Sequence, residues 1–179
     1  MGSSWEDHGL PEPSRAFREA FDGRPPTHLS RAPGRVNLIG EHTDYNGLPV
    51  FPMALAQEVR VLFRPRGDDT VRFVNGAGEF EPRSFSLSQD IPPDEPGDWG
   101  NYLKAPCQAL NRRLGDLHGF DGLVTSTLPV ASGLSSSSAL VIAVGQALLA
   151  VNELAIPALE LAGEMARAEH YTGTRGGGM

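Results

Sequence analysis

Residues 122–150 read Gly-Leu-Val-Thr-Ser-Thr-Leu-Pro-Val-Ala-Ser-Gly-Leu-Ser-Ser-Ser-Ser-Ala-Leu-Val-Ile-Ala-Val-Gly-Gln-Ala-Leu-Leu-Ala. The run from Gly122 to Leu128 resembles a strand, and the run from Ala139 to Ala150 is apolar almost throughout, which predicts a buried helix. The serines from Ser135 to Ser138 therefore lie where this helix begins. We take this succession of strand, loop and buried helix as the centre of the predicted fold.

The position of the serines at a helix start favours binding of an anion. Backbone N–H groups there lack intrahelical acceptors, and the positive end of the helix dipole attracts negative charge. Small side chains let a phosphate approach closely, and serine hydroxyls are oxygen ligands of the kind that magnesium takes. The alternatives are a serine-rich linker or a simple helix cap, and the apolar run directly after the serines disfavours a linker. No Walker motif is present, so the lysine of that nucleotide-binding class is missing.

The rest of the chain mixes helical and strand patterns. The predicted helices are Ser14 to Phe21 with Ser14 as its cap, Asn101 to Leu114, Ala139 to Ala150, and a further helix that stops at Gly173. Alternating apolar residues in Gln57 to Phe63 and in Thr70 to Asn75 predict two strands joined as a hairpin. This pattern predicts an α+β fold, with helices packed on a mixed or antiparallel sheet.

A second informative run extends from Arg31 to Gly47 and reads Arg-Ala-Pro-Gly-Arg-Val-Asn-Leu-Ile-Gly-Glu-His-Thr-Asp-Tyr-Asn-Gly. Its apolar stretch, Val36 to Ile39, is long enough for only one strand. Carboxylates and an imidazole close together, flanked by glycines that let the backbone turn sharply, can meet the hydroxyls of a polyol from several directions. The run therefore predicts a sugar pocket, against the alternative of an exposed charged loop.

The run up to Gly47 resembles the opening signature of galactokinases, a branch of the GHMP small-molecule kinases, nearly residue for residue. The serine-rich run resembles the phosphate loop of the same family. Its Ala131 and Ser138, where the common galactokinase form has Gly and Ala, make it more similar to the loop of N-acetylgalactosamine kinases. The end of the chain, Ala168 to Met179, resembles the approach to the family's catalytic aspartate.

This resemblance implies roles for individual residues. It implies that Arg35 lies beside the transferring phosphoryl group, and that Ser136 and Glu169 hold Mg²⁺. The residues implied to contact the sugar are Glu41, His42, Asp44 and Gly177. The residues implied to bind ATP are Trp99, Gly133, Leu134, Ser135, Ser136, Ser137 and Ser138. For Trp99, packing on the apolar face of its helix is an equally compatible role.

The resemblance also implies the specific fold, the GHMP kinase N-terminal domain, which is similar to the second domain of ribosomal protein S5. We expect an N-terminal extension with a helix over residues 1–26 and this domain over residues 27–179. At 179 residues the chain is too short for the two-domain galactokinase architecture. The family continues Gly-x-Met-Asp where this sequence ends at Met179, so we expect a truncated chain that lacks the catalytic base and does not turn over.

The predicted function is an ATP-dependent sugar-1-kinase that phosphorylates the anomeric hydroxyl of galactose. The alternatives are a kinase of N-acetylgalactosamine or another sugar, a non-catalytic sensor of galactose and ATP, and an inactive half-domain. The predicted partners are the sugar, ATP and Mg²⁺, with no prediction of oligomeric state.

Charge and composition exclude several other classes of protein. The net charge of −7, without a basic run, disfavours nucleic acid and anionic membranes as partners. The single cysteine, Cys107, excludes a disulfide framework and a multi-cysteine zinc site, and we expect a buried thiol. Without a signal-peptide pattern or a run long enough to span a membrane, a cytoplasmic location is expected.

Overall fold

The structure is a computed structural model that describes residues 9–40, 48–129 and 133–173. Within these ranges the helices are α1, Pro11–Ala20; α2, Gly100–Leu114; α3, Ser136–Val151; and α4, Ala158–Ala168. A 3₁₀ helix, Glu169–Thr172, follows α4 directly. The strands are β1, His28–Ile39; β2, Phe51–Pro65; β3, Thr70–Asn75; β4, Arg83–Ser86; and β5, Phe120–Ser126. No helix in the described ranges is long and apolar enough to cross a membrane.

The strands form one sheet in the order β1-β2-β5-β3-β4. The β3–β5 pair is parallel and the other neighbours are antiparallel, which confirms the predicted α+β fold with a mixed sheet. The predicted hairpin between β2 and β3 is wrong, because β5 lies between them. Alternation identifies a strand but not its partner, and the turn after β2 passes over the start of β5, where Gly119 N donates to Asp68 O at 2.8 Å.

The main core lies between one face of the sheet and helices α2, α3 and α4. Alternate strand residues such as Val61, Phe63 and Phe73 point into it and are at most 1% exposed. Helix α3 is apolar on most of its surface and is buried in this layer, as its sequence predicts. Cys107 of α2 is buried as expected, and burial raises the pKa of its thiol.

Helix α1 covers the opposite face of the sheet. Phe17 and Phe21 pack there against Leu62 and Leu123 in a second, smaller cluster. The prediction of Ser14 as the helix cap is wrong, because α1 begins at Pro11 and Ser14 is a buried residue inside it. Proline suits the first turn of a helix, since its missing N–H would have no intrahelical acceptor there. The division of the chain at residue 26 stays a prediction.

A buried carboxylate links the sheet to α1. Asp121 of β5 is 1% exposed and accepts hydrogen bonds from Arg64 at 2.9 Å, Arg66 at 3.1 Å and Arg72 at 2.7 Å. The guanidinium groups of Arg64 and Arg72 lie over the rings of Phe17 and Phe21, at 5.8 and 5.3 Å from the ring centroids. The apolar contacts of α1 are thus reinforced by cation–π contacts that this carboxylate holds in place.

Candidate functional site

The segment before α3 has the conformation of an anion-binding loop. Gly133 has a φ of 71° and Ser135 a φ of 57°, the left-handed region that a non-glycine residue seldom adopts outside functional or strained positions. Ser135 is the N-cap of α3, yet its side chain makes no capping hydrogen bond to this helix. Within the described residues, the Ser135 side chain thus leaves the first N–H groups of α3 to an anionic ligand.

Strand β1 packs directly against this loop. The backbone N–H of Arg35 donates to the carbonyl oxygen of Leu134 at 3.1 Å. A Cβ atom on Gly34 would lie 2.4 Å from Leu128 Cδ2 and 2.9 Å from Leu134 O, so only glycine permits this approach. The register of β1 against β2 shifts between Pro33 and Arg35, and such irregularities often redirect a side chain near a functional site.

Glu169, the first residue of the 3₁₀ helix, is 4% exposed. Burial raises the pKa of its carboxyl, while a hydrogen bond from the Ser138 side chain and the charge of Arg35 act in the opposite direction. Its Oε1 is buried without a hydrogen-bond partner among the described residues. The structure thus brings Arg35, Ser138 and Glu169 together from β1, α3 and the 3₁₀ helix. The contact between Ser138 and Glu169 has no signal in the sequence, where the two residues are far apart.

The residues around Glu169 fit a magnesium ion. A buried carboxylate oxygen without a partner and a serine hydroxyl are oxygen donors of the type that Mg²⁺ prefers. No group of three or more His, Cys, Asp or Glu residues that could hold a metal occurs in the described part of the chain. Few protein ligands suit Mg²⁺, which usually keeps waters and binds substrate phosphates. Ser136, the other predicted ligand, is half-buried at the start of α3.

The two arginines of the run from Arg31 to Gly47 have different surroundings. Arg31 donates to both carboxylate oxygens of Glu58, at 3.0 and 2.9 Å, and Arg60 donates to the same carboxylate. Burial raises the pKa of Glu58, but the hydrogen bonds from these two arginines outweigh it, and its pKa lies below the ordinary value. Arg31 therefore supports the sheet, whereas the charge of Arg35 lowers the pKa of the Glu169 carboxyl.

Trp99 is packed in the structure. It is 8% exposed, its indole N–H donates to Glu81 O at 3.0 Å, and the ring of Phe80 stacks on it with centroids 5.6 Å apart. Its implied role near adenine stays a prediction. The sugar residues Glu41, His42, Asp44 and Gly177 lie outside the described residues, and their roles also stay predictions.

Comparisons with known proteins assign the family. The model of the galactokinase galactose-binding signature matches residues 15–65, and the model of the GHMP kinase N-terminal domain matches residues 101–179. The chain belongs to the GHMP kinases, in their galactokinase branch. The predicted resemblance and the predicted GHMP fold are therefore confirmed.

The curated relatives of this galactokinase-type chain include two galactokinases of the genus Chloroflexus. It is 46% identical over 155 residues to the galactokinase of Chloroflexus aurantiacus, an alignment that covers 87% of this chain and 39% of the relative. It is 45% identical over 152 residues to the galactokinase of Chloroflexus aggregans, covering 85% of this chain and 38% of the relative. The chain thus spans about two-fifths of the length of these relatives.

Solved structures show the same fold. The galactokinase of Lactococcus lactis, determined in complex with galactose, matches with a TM-score of 0.83 and 34% identity over 95% of this chain and 44% of its own. The mevalonate kinase of Methanococcus jannaschii matches with a TM-score of 0.70 and 20% identity over 80% of this chain and 46% of its own. The second similarity shows the shared fold alone.

Proposed function

We propose that this protein is an ATP-dependent galactose 1-kinase, which transfers the γ-phosphoryl group of ATP to the anomeric hydroxyl of galactose. The observation that carries the proposal is the meeting of Arg35, the open start of α3 and the buried Glu169 at one place. The galactose bound to the Lactococcus lactis galactokinase supports galactose as the sugar.

The loop from Gly133 to Ser138 would hold the phosphates of ATP. Its left-handed residues and the N–H groups at the start of α3 offer several donors to one anionic group. Close packing of Gly34 on Leu134 supports the loop from behind, so its donors are held in position before ATP binds. Donors that are already positioned favour phosphoryl transfer, because they need no rearrangement as charge develops.

Arg35 would stabilise the phosphoryl group during transfer. Phosphoryl transfer requires little covalent chemistry from the protein, and catalysis depends on positioning and on neutralising charge. The backbone of Arg35 is bonded to the phosphate loop, so its guanidinium is carried by the same rigid strand that supports the phosphates. This placement favours Arg35 over Arg31 as the catalytic arginine.

Glu169, with Ser136 and Ser138, would hold Mg²⁺. When bound there, Mg²⁺ would neutralise part of the charge of the ATP phosphates. The carboxylate of Glu169 is kept next to the start of α3 by Ser138, and its buried Oε1 has no partner in the described part of the chain that would compete with a cation. The sugar hydroxyls would be held by Glu41, His42 and Asp44, with Gly177 close to the sugar, on the strength of the family signature.

A chimera tests the proposal. Residues 1–179 replace the matching N-terminal part of the Chloroflexus aurantiacus galactokinase, and ADP release is measured with galactose and with N-acetylgalactosamine. We expect galactose-dependent release, with a higher kcat/KM for galactose than for N-acetylgalactosamine. The matched variants are Asp44→Asn in the sugar signature and Asp68→Asn in the exposed turn after β2.

Asp44→Asn should raise the KM for galactose roughly 10- to 100-fold, because a galactose hydroxyl would lose its hydrogen bond to a charged acceptor, and should leave the KM for ATP nearly unchanged. Asp68→Asn should change neither constant. Equal turnover with both sugars, or a larger effect of Asp44→Asn on ATP than on galactose, would contradict the proposed substrate.

A further inference from the structure

A groove of about 590 Å³ opens between the second half of α2 and the end of α4. This volume lies within the range of roughly 300–1,000 Å³ that is usual for small-molecule sites. Ala168 and His170 line the groove, but Glu169 between them does not, and its carboxylate is associated with Ser138 at the start of α3. The groove is therefore separate from the phosphate loop.

Three arginines line the groove, and their charges are compensated to different degrees. Arg113 is neutralised by Glu160 at 2.7 Å and Glu164 at 2.6 Å. Arg112 reaches the carboxylate of Asp90 at 3.3 Å, and that side chain is 94% exposed. Exposed pairs of this kind are weak and are readily exchanged for another anion.

Arg167 differs from the other two arginines. In residues 9–40, 48–129 and 133–173 its guanidinium makes no hydrogen bond or ion pair. It lies one turn before His170 on the same wall of the groove. Asp90, Glu160 and Glu164 balance the charges of the three arginines, so the groove carries no excess positive charge. The guanidinium of Arg167, unpaired among the described residues, is nevertheless open to an anionic ligand.

Glu164, which is paired with Arg113, also lines the groove, and the rest of the lining is uncharged and partly apolar. Ala105, Ala109 and Ala168 provide small side chains, and the ring of Tyr171 forms part of the wall. The Tyr171 hydroxyl already donates to Ile91 O at 2.7 Å, so a ligand in the groove would contact the ring of Tyr171 and not its hydroxyl. A ligand that fits this lining has an anionic group at one end and an uncharged body.

We propose that this groove binds a small organic phosphate, such as a hexose phosphate, through the guanidinium groups of Arg112 and Arg167. A planar guanidinium matches two phosphate oxygens at once, and two of them suit a dianion. Inorganic phosphate would leave most of the 590 Å³ empty, which is why the proposal specifies an organic phosphate. The proposal does not depend on the proposed kinase activity.

Isothermal titration of the 179-residue chain with glucose 6-phosphate tests this site, with glucose as the uncharged probe. We expect glucose 6-phosphate to bind and glucose not to bind. Arg167→Gln and Arg112→Gln should each weaken binding about tenfold, in line with the loss of a hydrogen bond to a charged group. Arg18→Gln removes one exposed charge from α1, and Ser136→Ala alters the phosphate loop; both should leave the affinity unchanged.

Three results would overturn the proposal. They are an absence of binding by the unmodified chain, a loss of affinity caused by Ser136→Ala but not by Arg167→Gln, and equal losses for Arg18→Gln and Arg167→Gln. The second would place the phosphate in the loop before α3, and the third would reduce the effect to net charge. Because Arg167 is exposed and unpaired among the described residues, its variant should fold, and a melting curve checks this.

Discussion

Arg31 and Arg35 lie on the same strand but contact different parts of the molecule. Arg31 is held by Glu58 and is 59% exposed on its side chain. Arg35 is half-buried, and its backbone is bonded to the phosphate loop. Its charge lowers the pKa of Glu169. Two identical side chains in one motif thus allow a matched comparison of catalytic and structural roles.

Arg35→Gln should lower kcat of the chimera about 100-fold or more, because a preorganised charge that stabilises transferred phosphoryl is lost. Arg31→Gln should lower the free energy of unfolding by less than about 1 kcal/mol, since the Arg31 side chain is exposed and Arg60 still pairs with the buried Glu58, and should leave kcat nearly unchanged. Steady-state kinetics and urea unfolding measure the two effects. Similar kcat losses in both variants would refute the assignment of Arg35.

Gly34→Ala should disturb the phosphate loop. The added methyl group would meet Leu128 Cδ2 and Leu134 O, and overpacking of this kind costs about 1–3 kcal/mol. We expect a higher KM for ATP in the chimera, with a smaller change for galactose. Gly67→Ala is the control, because nothing lies within 4 Å of its Cβ position, and an equal effect there would show that the packing of Gly34 is unimportant.

At the scale of elements, α1 depends on a charged cluster beneath it. Asp121 accepts hydrogen bonds from three arginines, and the guanidinium groups of two of them lie over the phenylalanine rings of α1. Asp121→Asn removes the charge that holds these cations together. The free energy of unfolding should fall by roughly 3 kcal/mol, the usual cost of leaving buried charges unpaired.

Urea unfolding measures this loss, with Asp22→Asn as the control. Asp22 is 79% exposed and lies 3.9 Å from Arg72, and asparagine tolerates its left-handed backbone. Its substitution should change stability little. If Asp22→Asn lowered the free energy of unfolding as much as Asp121→Asn, the stabilisation would come from total charge and not from the buried carboxylate.

The same carboxylate predicts a pH dependence of stability. Burial of Asp121 raises its pKa, but hydrogen bonds from Arg72 and Arg66 outweigh this, so the folded pKa lies below the ordinary value. Its contribution is then complete above about pH 4 and is lost as the pH falls through the folded pKa. The stability difference between the unmodified chain and Asp121→Asn should therefore narrow below about pH 4, as measured by urea unfolding at several pH values. A constant difference would show that Asp121 acts without its charge.

At the scale of the whole molecule, binding at the phosphate loop should stabilise the entire fold. The loop joins β5 to α3, the helix at the centre of the main core. A ligand that binds only the folded chain adds about 2.7 kcal/mol at a concentration 100 times its Kd. For a chain of 179 residues this corresponds to roughly 5–10 °C in Tm.

ATP with Mg²⁺ should raise the Tm of the chain, and Ser136→Ala should reduce the increase at equal ATP concentration. Ser86→Ala, in the exposed edge strand β4, should leave it unchanged. Differential scanning fluorimetry measures all three. A rise that is identical in Ser136→Ala would remove this serine from the nucleotide and metal site.

Local pattern was sufficient for the elements that carry strong periodicity. The apolar run from Ala139 to Ala150 predicted α3, and the apolar face around Cys107 predicted α2. The start of α1 was mispredicted, because a serine near a helix start resembles a cap whether it lies before the helix or inside it. Pro11 decided the matter, since its ring favours the first helical turn.

The sequence by itself predicted the four helices, most of the strands and the family, because these depend on periodicity and on contiguous motifs. The short edge strand β4 was not predicted. Only the tertiary structure decided that β5 separates β2 from β3, and that Ser138 is the serine beside Glu169. It also decided that the backbone of Arg35 is bonded to the loop, while the side chain of Arg31 pairs with Glu58. These are contacts between residues distant in the chain, and they are set by how the sheet and helices pack, which no local pattern encodes.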